Sequence, residues 1–427
     1  MDVYACGFNG LGQIPPYEGF KCPTFHRIHR SVETFNIHVL KTHFIIFSSD
    51  KIISYGLMGS QFPVRFPPKY DGTSSKACCT STAILVHGMH GSSFTWSLKK
   101  RSLSSAWEPL RVDLEKIHGI CSGGETVAFW TDDAVKVLPG PCLEMPGLRV
   151  ASVKVGGEHF VLLTVDGLVY TWGEGRRGAL GLGDLESCHL PREVTCLAGL
   201  KVSKIGAGFW HSIAVTVEND VCVWGWNESG QLGFPCRVVR EHEESCDRHS
   251  PRFLQSEEKY VGILAEPRFL ECLPDDFIVV DICCGDRHTV LLDGDGGLWT
   301  WGFNGYGQLG LGHTCPMDEP QRSCLKKILP EAQSSDFGIR AGGWNTCVSP
   351  TNVIITLPPC VKPALTEINE LGLPVEKGGT WRGGPDGVKR LRKTADAAAA
   401  FVTVSQRQTT SAEQLRREGR RDLAVTS

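Results

Sequence analysis

The decapeptide WGWNESGQLG at residues 224–233 returns as WGFNGYGQLG at 301–310 and as WGEGRRGALG at 172–181, with an echo, CGFNGLGQI, at 6–14. Repetition on this scale constrains the fold more than any single residue does. The chain consists of copies of a unit too small to bury a core alone. Before each full copy stands a second motif, G-x-x-H followed by an apolar run: VGGEHFVLLTVDG from Val155, GAGFWHSIAVTVEND from Gly206 and CCGDRHTVLLDGDG from Cys283. Weaker copies of it begin at Leu40, Cys78, Cys121 and Ala341, which makes seven. Their equivalent positions are His43, Thr82, Thr126, His159, His211, His288 and Asn345. Successive ones lie 39, 44, 33, 52, 77 and 57 residues apart, a period of about 50.

The ruler inside each unit is stricter than the period. From those positions to Gly56, Ser97, Pro139, Gly173, Gly225, Gly302 and Pro358 the distances are 13, 15, 13, 14, 14, 14 and 13 residues, so only the connections vary. Turn pairs Asp166-Gly167, Asn219-Asp220 and Asp295-Gly296 sit midway, between runs of Val, Leu, Ile and Trp, as a tight β-hairpin requires. A lone hairpin is marginal in water, and seven become stable by stacking faces and closing into a ring. The expected fold is all-β: a seven-bladed β-propeller over residues 1–359. The strand at VYACG, residues 3–7, is expected to dock beside the last unit and close the ring.

Composition removes several function classes. A formal net charge of −3 gives no global attraction to nucleic acid, so a chromatin contact has to come from a local patch or a partner. No apolar run is long enough to cross a bilayer, and the opening segment does not read as a secretory signal; a soluble protein is expected. The 18 cysteines show no C-x-x-C spacing and read as reduced, mostly buried thiols. GEGRRG at 173–178 literally fits a dinucleotide fingerprint, but no helical pattern follows and the sister turns keep only its outer glycines, so no cofactor is expected. His159, His211 and His288 occupy equivalent places on different blades. They are expected around a ring, each fixing its blade to a neighbour, and not converging on a metal. No catalytic constellation stands out, so no enzyme is expected.

The G-x-x-H-x-x-x-L and V-Y-x-W-G-x-N-x-x-G-Q-L-G patterns resemble those of the regulator of chromosome condensation repeat proteins, with three strong copies and four degenerate ones. The resemblance implies a nuclear, chromatin-associated interaction protein working with a jumonji-type oxygenase and influencing histone methylation and chromosome segregation, with histones met indirectly. It also implies a rival, a guanine nucleotide exchange factor for a small GTPase, although the short first three units leave little room for the wedge that exchange needs; a substrate adaptor for protein degradation is a third reading, which the resemblance does not supply. Were the oxygenase also to act on this chain, Arg149 is the candidate for modification.

Candidate partner contacts follow from loops and departures from the repeat. Arg176 and Arg177 stand where sister turns are neutral, a basic spot for an acidic partner or phosphate, or plain solvated surface. Trp226 and Asn227 occupy the corresponding turn of the next unit. The long spacing after His211 marks an insertion at about 235–274, with Glu241, Glu243 and Glu244 at its centre, read as a solvated excursion or a partner-binding loop. Residues 360–427 carry no repeat and a basic stretch, VKRLRK, and are expected to be disordered.

Overall fold

Runs of alternating β-branched and polar residues form strands because each pleated face meets a different neighbour. In the computed structural model this produces seven four-stranded antiparallel sheets. The described residues are 2–15, 17–30, 34–41, 43–48, 51–56, 64–65, 67, 76–88, 91–98, 107–112, 114, 116–246, 260–274, 277–323 and 337–350. All lie in the first of two units, Met1–Val361; the second, Lys362–Ser427, with the tail expected to be disordered, lies outside them.

Blade four shows the plan: an inner strand Val150–Val155, the hairpin His159–Thr164 and Val169–Gly173, and an outer strand Cys188–Glu193. Blade five repeats it with Val202–Ala207, His211–Thr216, Val221–Trp226 and Ile263–Phe269. Blade six does so with Val279–Cys284, His288–Asp293, Leu298–Gly302 and Met317–Arg322. Blades one to three begin at Thr34, Lys76 and Gly119. The inner strand of each blade adjoins that of the next, and the seventh adjoins the first, so the ring is closed.

Seven hydrophobic clusters hold it, one at each interface between consecutive blades. The second strand of blade five divides itself between two of them: Ala214 faces blade four, while Ile213 and Val215 face blade six. Period-two alternation therefore writes an inter-blade core on both sides of every sheet.

Blade seven is shared by both ends of the chain. Phe337–Gly342 and Asn345–Pro350 supply its inner pair, Asp2–Phe8 pairs with Asn345–Pro350 through Tyr4 and Val348, and Lys21–Arg30 forms the edge. The N-terminal strand thus closes the ring as expected. It also corrects the ruler: the residue facing Asn345 is Gly7, and not Pro358, which lies outside the described residues together with 353–359.

Two further expectations change. The segment 235–274 is not wholly an insertion, because it contains Ile263–Phe269, the outer strand of blade five, paired with Cys222, Val223, Gly225 and Trp226. What is inserted begins as a helix, α1, Arg237–Cys246, whose start is fastened to blade six by Cys236 N–H donating to Asp318 Oδ2 at 2.9 Å. The unit also has an edge strand that the repeat pattern did not reveal. In blades two, four, five, six and seven it contains a proline, Pro109, Pro191, Pro267, Pro320 and Pro23, which only an edge tolerates.

Candidate interaction surface on the propeller rim

The three repeat histidines clasp blade to blade. His159 Nε2 meets Ser212 Oγ at 2.8 Å, His211 Nε2 meets Thr289 Oγ1 at 2.9 Å and His288 Nε2 meets Thr346 Oγ1 at 3.0 Å. Each hydroxyl donates its own proton to a carbonyl in the glycine-rich turn, Ala179, Gln231 or Gln308, and so accepts from the imidazole, which fixes the Nε2–H tautomer. Burial holds these rings neutral, with pKa values pushed down to about 4 for His159 and about 3 for His211 and His288. No group of three or more metal-ligating side chains is found among the described residues. The clasp runs from blade four to blade seven; in blade two the register places Ala83, and not Thr82 as expected, where the histidine stands, and Ile84 at the place of Ser212, so neither partner of the clasp is present there.

Two other devices recur on these blades, the second on blades five to seven, since Gly175 takes the asparagine's place in blade four. Gly173, Gly225 and Gly302, opposite the histidines, adopt φ of +111°, +107° and +106°. A Cβ there would meet the carbonyl oxygens of Glu158, Trp210 and Arg287 at 2.6, 2.5 and 2.5 Å, so no other residue fits without strain. Asn227 Nδ2 donates to the carbonyls of Phe234 and Val261, and its Oδ1 accepts from Leu232 N–H. Asn304 and Asn9 do the same in their turns. Asn227, expected among the partner-contacting residues, is therefore 0% exposed and committed to holding its own loop.

These devices order one rim. The tight turns between inner and second strands lie side by side: Gly157 N–H donates to Phe209 O, Phe209 N–H to Asp286 O and Asp286 N–H to Gly343 O. The residue just before each histidine, or its equivalent, then stands at a matched position: Glu158, Trp210, Arg287 and Trp344 on blades four to seven. Beside it stands the residue after the strand-three glycine, Glu174, Trp226, Phe303 or Phe8, whose N–H donates to that neighbour's carbonyl. A fixed backbone presents a different pair on each blade.

Side chains from the following turn cover the next blade's pair. Arg177 lies 3.5 Å over the Trp210 ring and 4.6 Å from the centre of Trp226, and Arg287 lies 4.8 Å from the same Trp226 centre. The two indoles meet edge to face at 4.9 Å. Two blades on, Tyr306 stacks on Trp344 at 4.7 Å, Lys41 Nζ sits 3.9 Å over that indole, and Phe8 and the exposed Phe20 extend the aromatic surface. Each cation–π contact contributes about 0.5–1 kcal/mol at such half-exposed positions.

Of the expected contacts, Arg177 and Trp226 meet here. Arg176 is beside them, held 3.6 Å from both Glu158 and Glu174, so its charge is already compensated. Glu241 is elsewhere, on α1, paired with Arg237 at 2.7 Å. Glu243 and Glu244 belong to the same helix, and their side chains are outside what is described. Arg149 lies at the opposite end of the blade, beside the Asp166-Gly167 turn, exposed and 3.3 Å from Asp166. Sequence reading missed Trp210, Arg287, Tyr306 and Trp344. For Trp210, Arg287 and Trp344 the signal was available in the residue preceding each repeat histidine or its equivalent, a position constant in structure and variable in chemistry; Tyr306 stands in the glycine-rich turn, at the place Arg177 holds in blade four.

Comparison with known proteins fits this geometry. The regulator of chromosome condensation (RCC1) repeat matches residues 166–215, 218–292 and 295–331, and a second description of that repeat matches 150–179, 202–231 and 279–308. The chain carries regulator of chromosome condensation repeats. These matches fall on the clasped blades. RCC1 domain-containing protein 1 of Mus musculus is 36% identical over 215 residues, and that of Homo sapiens is 35% identical over 217; each match takes in 48% of this chain. It spans only 56% and 57% of those relatives, little more than half their length. The solved structure of human WBSCR16 is similar in fold, with a TM-score of 0.63 at 17% identity, over 81% of this chain and 98% of that one.

Proposed function

We propose that this RCC1-repeat propeller is a non-catalytic platform that holds a protein partner on the rim of blades four to seven and acts in the nucleus, on chromatin. The observation that supports this is the aromatic and basic rim itself. Trp210, Trp226, Tyr306 and Trp344 are large, half-exposed groups set on a backbone immobilised by the histidine clasps, and rigid aromatic anchors beside arginine are what protein interfaces concentrate. The partner implied by the family resemblance is a jumonji-type oxygenase, with histones engaged through it. Arg149, exposed and far from the rim, remains the proposed site for modification by such a partner.

The test is affinity capture of the full chain from nuclear extract, read by mass spectrometry, for wild type and for the Trp210→Ala/Trp226→Ala variant. The expected result is recovery of a jumonji-type oxygenase by wild type and its loss with the variant. A nucleotide-release assay on any GTPase recovered runs beside it; accelerated release dependent on the propeller would replace the platform with an exchange factor.

A further inference from the structure

The rim carries more positive charge than its own fold uses. A guanidinium lying over an indole engages through its face and leaves five N–H donors around its edge. Arg177 and Arg287 both lie over the Trp210–Trp226 pair, and among the described residues no carboxylate stands within ion-pair distance of either. The nearby acids are committed elsewhere or offset the two arginines only in part. Glu158 accepts the Trp210 indole N–H at 3.3 Å and faces Arg176, Glu174 also faces Arg176, and Asp286 is half-buried, under the influence of both Lys41 and Arg287. Two like charges sharing one aromatic pair have a surplus that an incoming anion relieves.

The spacing suits a peptide. The two guanidinium carbons lie 4.6 and 4.8 Å from the centre of the Trp226 ring, one prong reaching from blade four and the other from blade six. The two therefore stand no further apart than those distances combined, and alternate side chains of an extended strand, about 6.7 Å apart, fall within that reach while the side chain between them turns away. Nucleic acid fits less well, because Glu158 and Glu174 stand in the same cluster and repel a phosphate backbone, and the chain has no net positive charge.

We propose that Arg177 and Arg287 form a two-pronged fork for an acidic peptide segment of a protein partner, its carboxylates meeting the guanidinium edges and its apolar side chains lying on Trp226. This deepens the platform reading and rests on it. Binding is charge-assisted and bidentate, so Lys substitutes poorly for either arginine.

The experiment is isothermal titration of the full chain with a glycine-flanked Leu-Glu-Leu-Glu-Leu peptide and with its Glu-to-Gln counterpart. The acidic peptide is expected to bind and to weaken as salt rises. Arg177→Gln and Arg287→Gln should each weaken binding about tenfold, Arg177→Lys should recover only part of it, and Arg149→Gln should leave it unchanged. Equal binding of the Gln peptide, no loss in the double Gln variant, or preference for a DNA duplex over the peptide each overturns the fork. The failure of the platform is separable. If extract capture is lost with Trp210→Ala/Trp226→Ala but kept with Arg177→Gln/Arg287→Gln, the platform stands and the fork falls. If neither variant alters capture, both fall.

Discussion

Removing one hydroxyl from an inter-blade clasp should cost most where the turn carbonyl has no second donor. Thr289→Val keeps shape but leaves His211 Nε2–H buried without an acceptor, while Gln231 O retains the Trp301 indole at 3.0 Å. Ser212→Ala is parallel, since Ala179 O keeps the Trp224 indole at 2.9 Å. Each should destabilise by about 1–3 kcal/mol, the penalty of one orphaned buried donor. Thr346→Val differs, because Gln308 O is then left with only the Cys6 thiol at 3.5 Å. Donor and acceptor are both stranded, and the loss should be roughly 2–5 kcal/mol. The assay is the urea midpoint of the full chain followed by tryptophan fluorescence, with Arg149→Ala as a surface control expected within about 0.5 kcal/mol of wild type. In the His211→Phe/Thr289→Val double variant both polar partners are gone, so its loss should be smaller than the sum of the singles. A Thr289→Val midpoint equal to that of the control, or equal shifts for Thr289→Val and Thr346→Val, would refute the reasoning.

Acid should loosen the ring through the same histidines: burial depresses their folded pKa, so the unfolded chain binds more protons, and stability present above about pH 6.5 is lost as pH falls towards about 3–4. At pH 5 each contributes about 2 kcal/mol of loss, checked by urea unfolding against pH, with a shallower slope expected for His159→Asn; the raised Asp286 acts in the opposite sense. Gly225→Ala should lower the melting temperature by several degrees, because its Cβ meets the Trp210 carbonyl at 2.5 Å at a φ of +107°; an unchanged melting curve refutes the steric argument. Replacing residues 241–259 by a short Gly-Ser linker should leave the melting temperature within a few degrees of wild type, whereas excising 235–274 removes the edge strand Ile263–Phe269 and should abolish the cooperative transition seen by circular dichroism.

The ring and its closure were legible because the repeat fixes hairpin, turn glycine and histidine at one spacing, and an unpaired copy at VYACG needs a partner strand. The outer strands were not. CHLPRE and MDEPQR are polar and carry a proline, since one edge faces solvent, and so they lack the alternation by which a strand is recognised. Asn227 was misjudged for a related reason: an asparagine in a glycine-rich turn looks exposed until the loop it ties is seen to fold over it. The rim was half legible. Arg176 and Arg177 stood out against their sister turns, but which of them is spent on Glu158 and Glu174 depends on where the neighbouring blade's Trp210 lies, and that is set by ring geometry.

The strand Asp2–Phe8 is synthesised before the other strands described and finds its inner neighbour, Asn345–Pro350, only after the other six blades have been made. Until then Val3 and Ala5 have only the layer shared with Ile28, Ile37 and Phe44 to enter, while Cys6, fully buried in the finished ring, lacks Val290, Leu292, Ile339 and Val348. The vulnerable interval of this protein is therefore the time between the first and last residues of blade seven leaving the ribosome, and its length is set by translation and not by the stability of any blade.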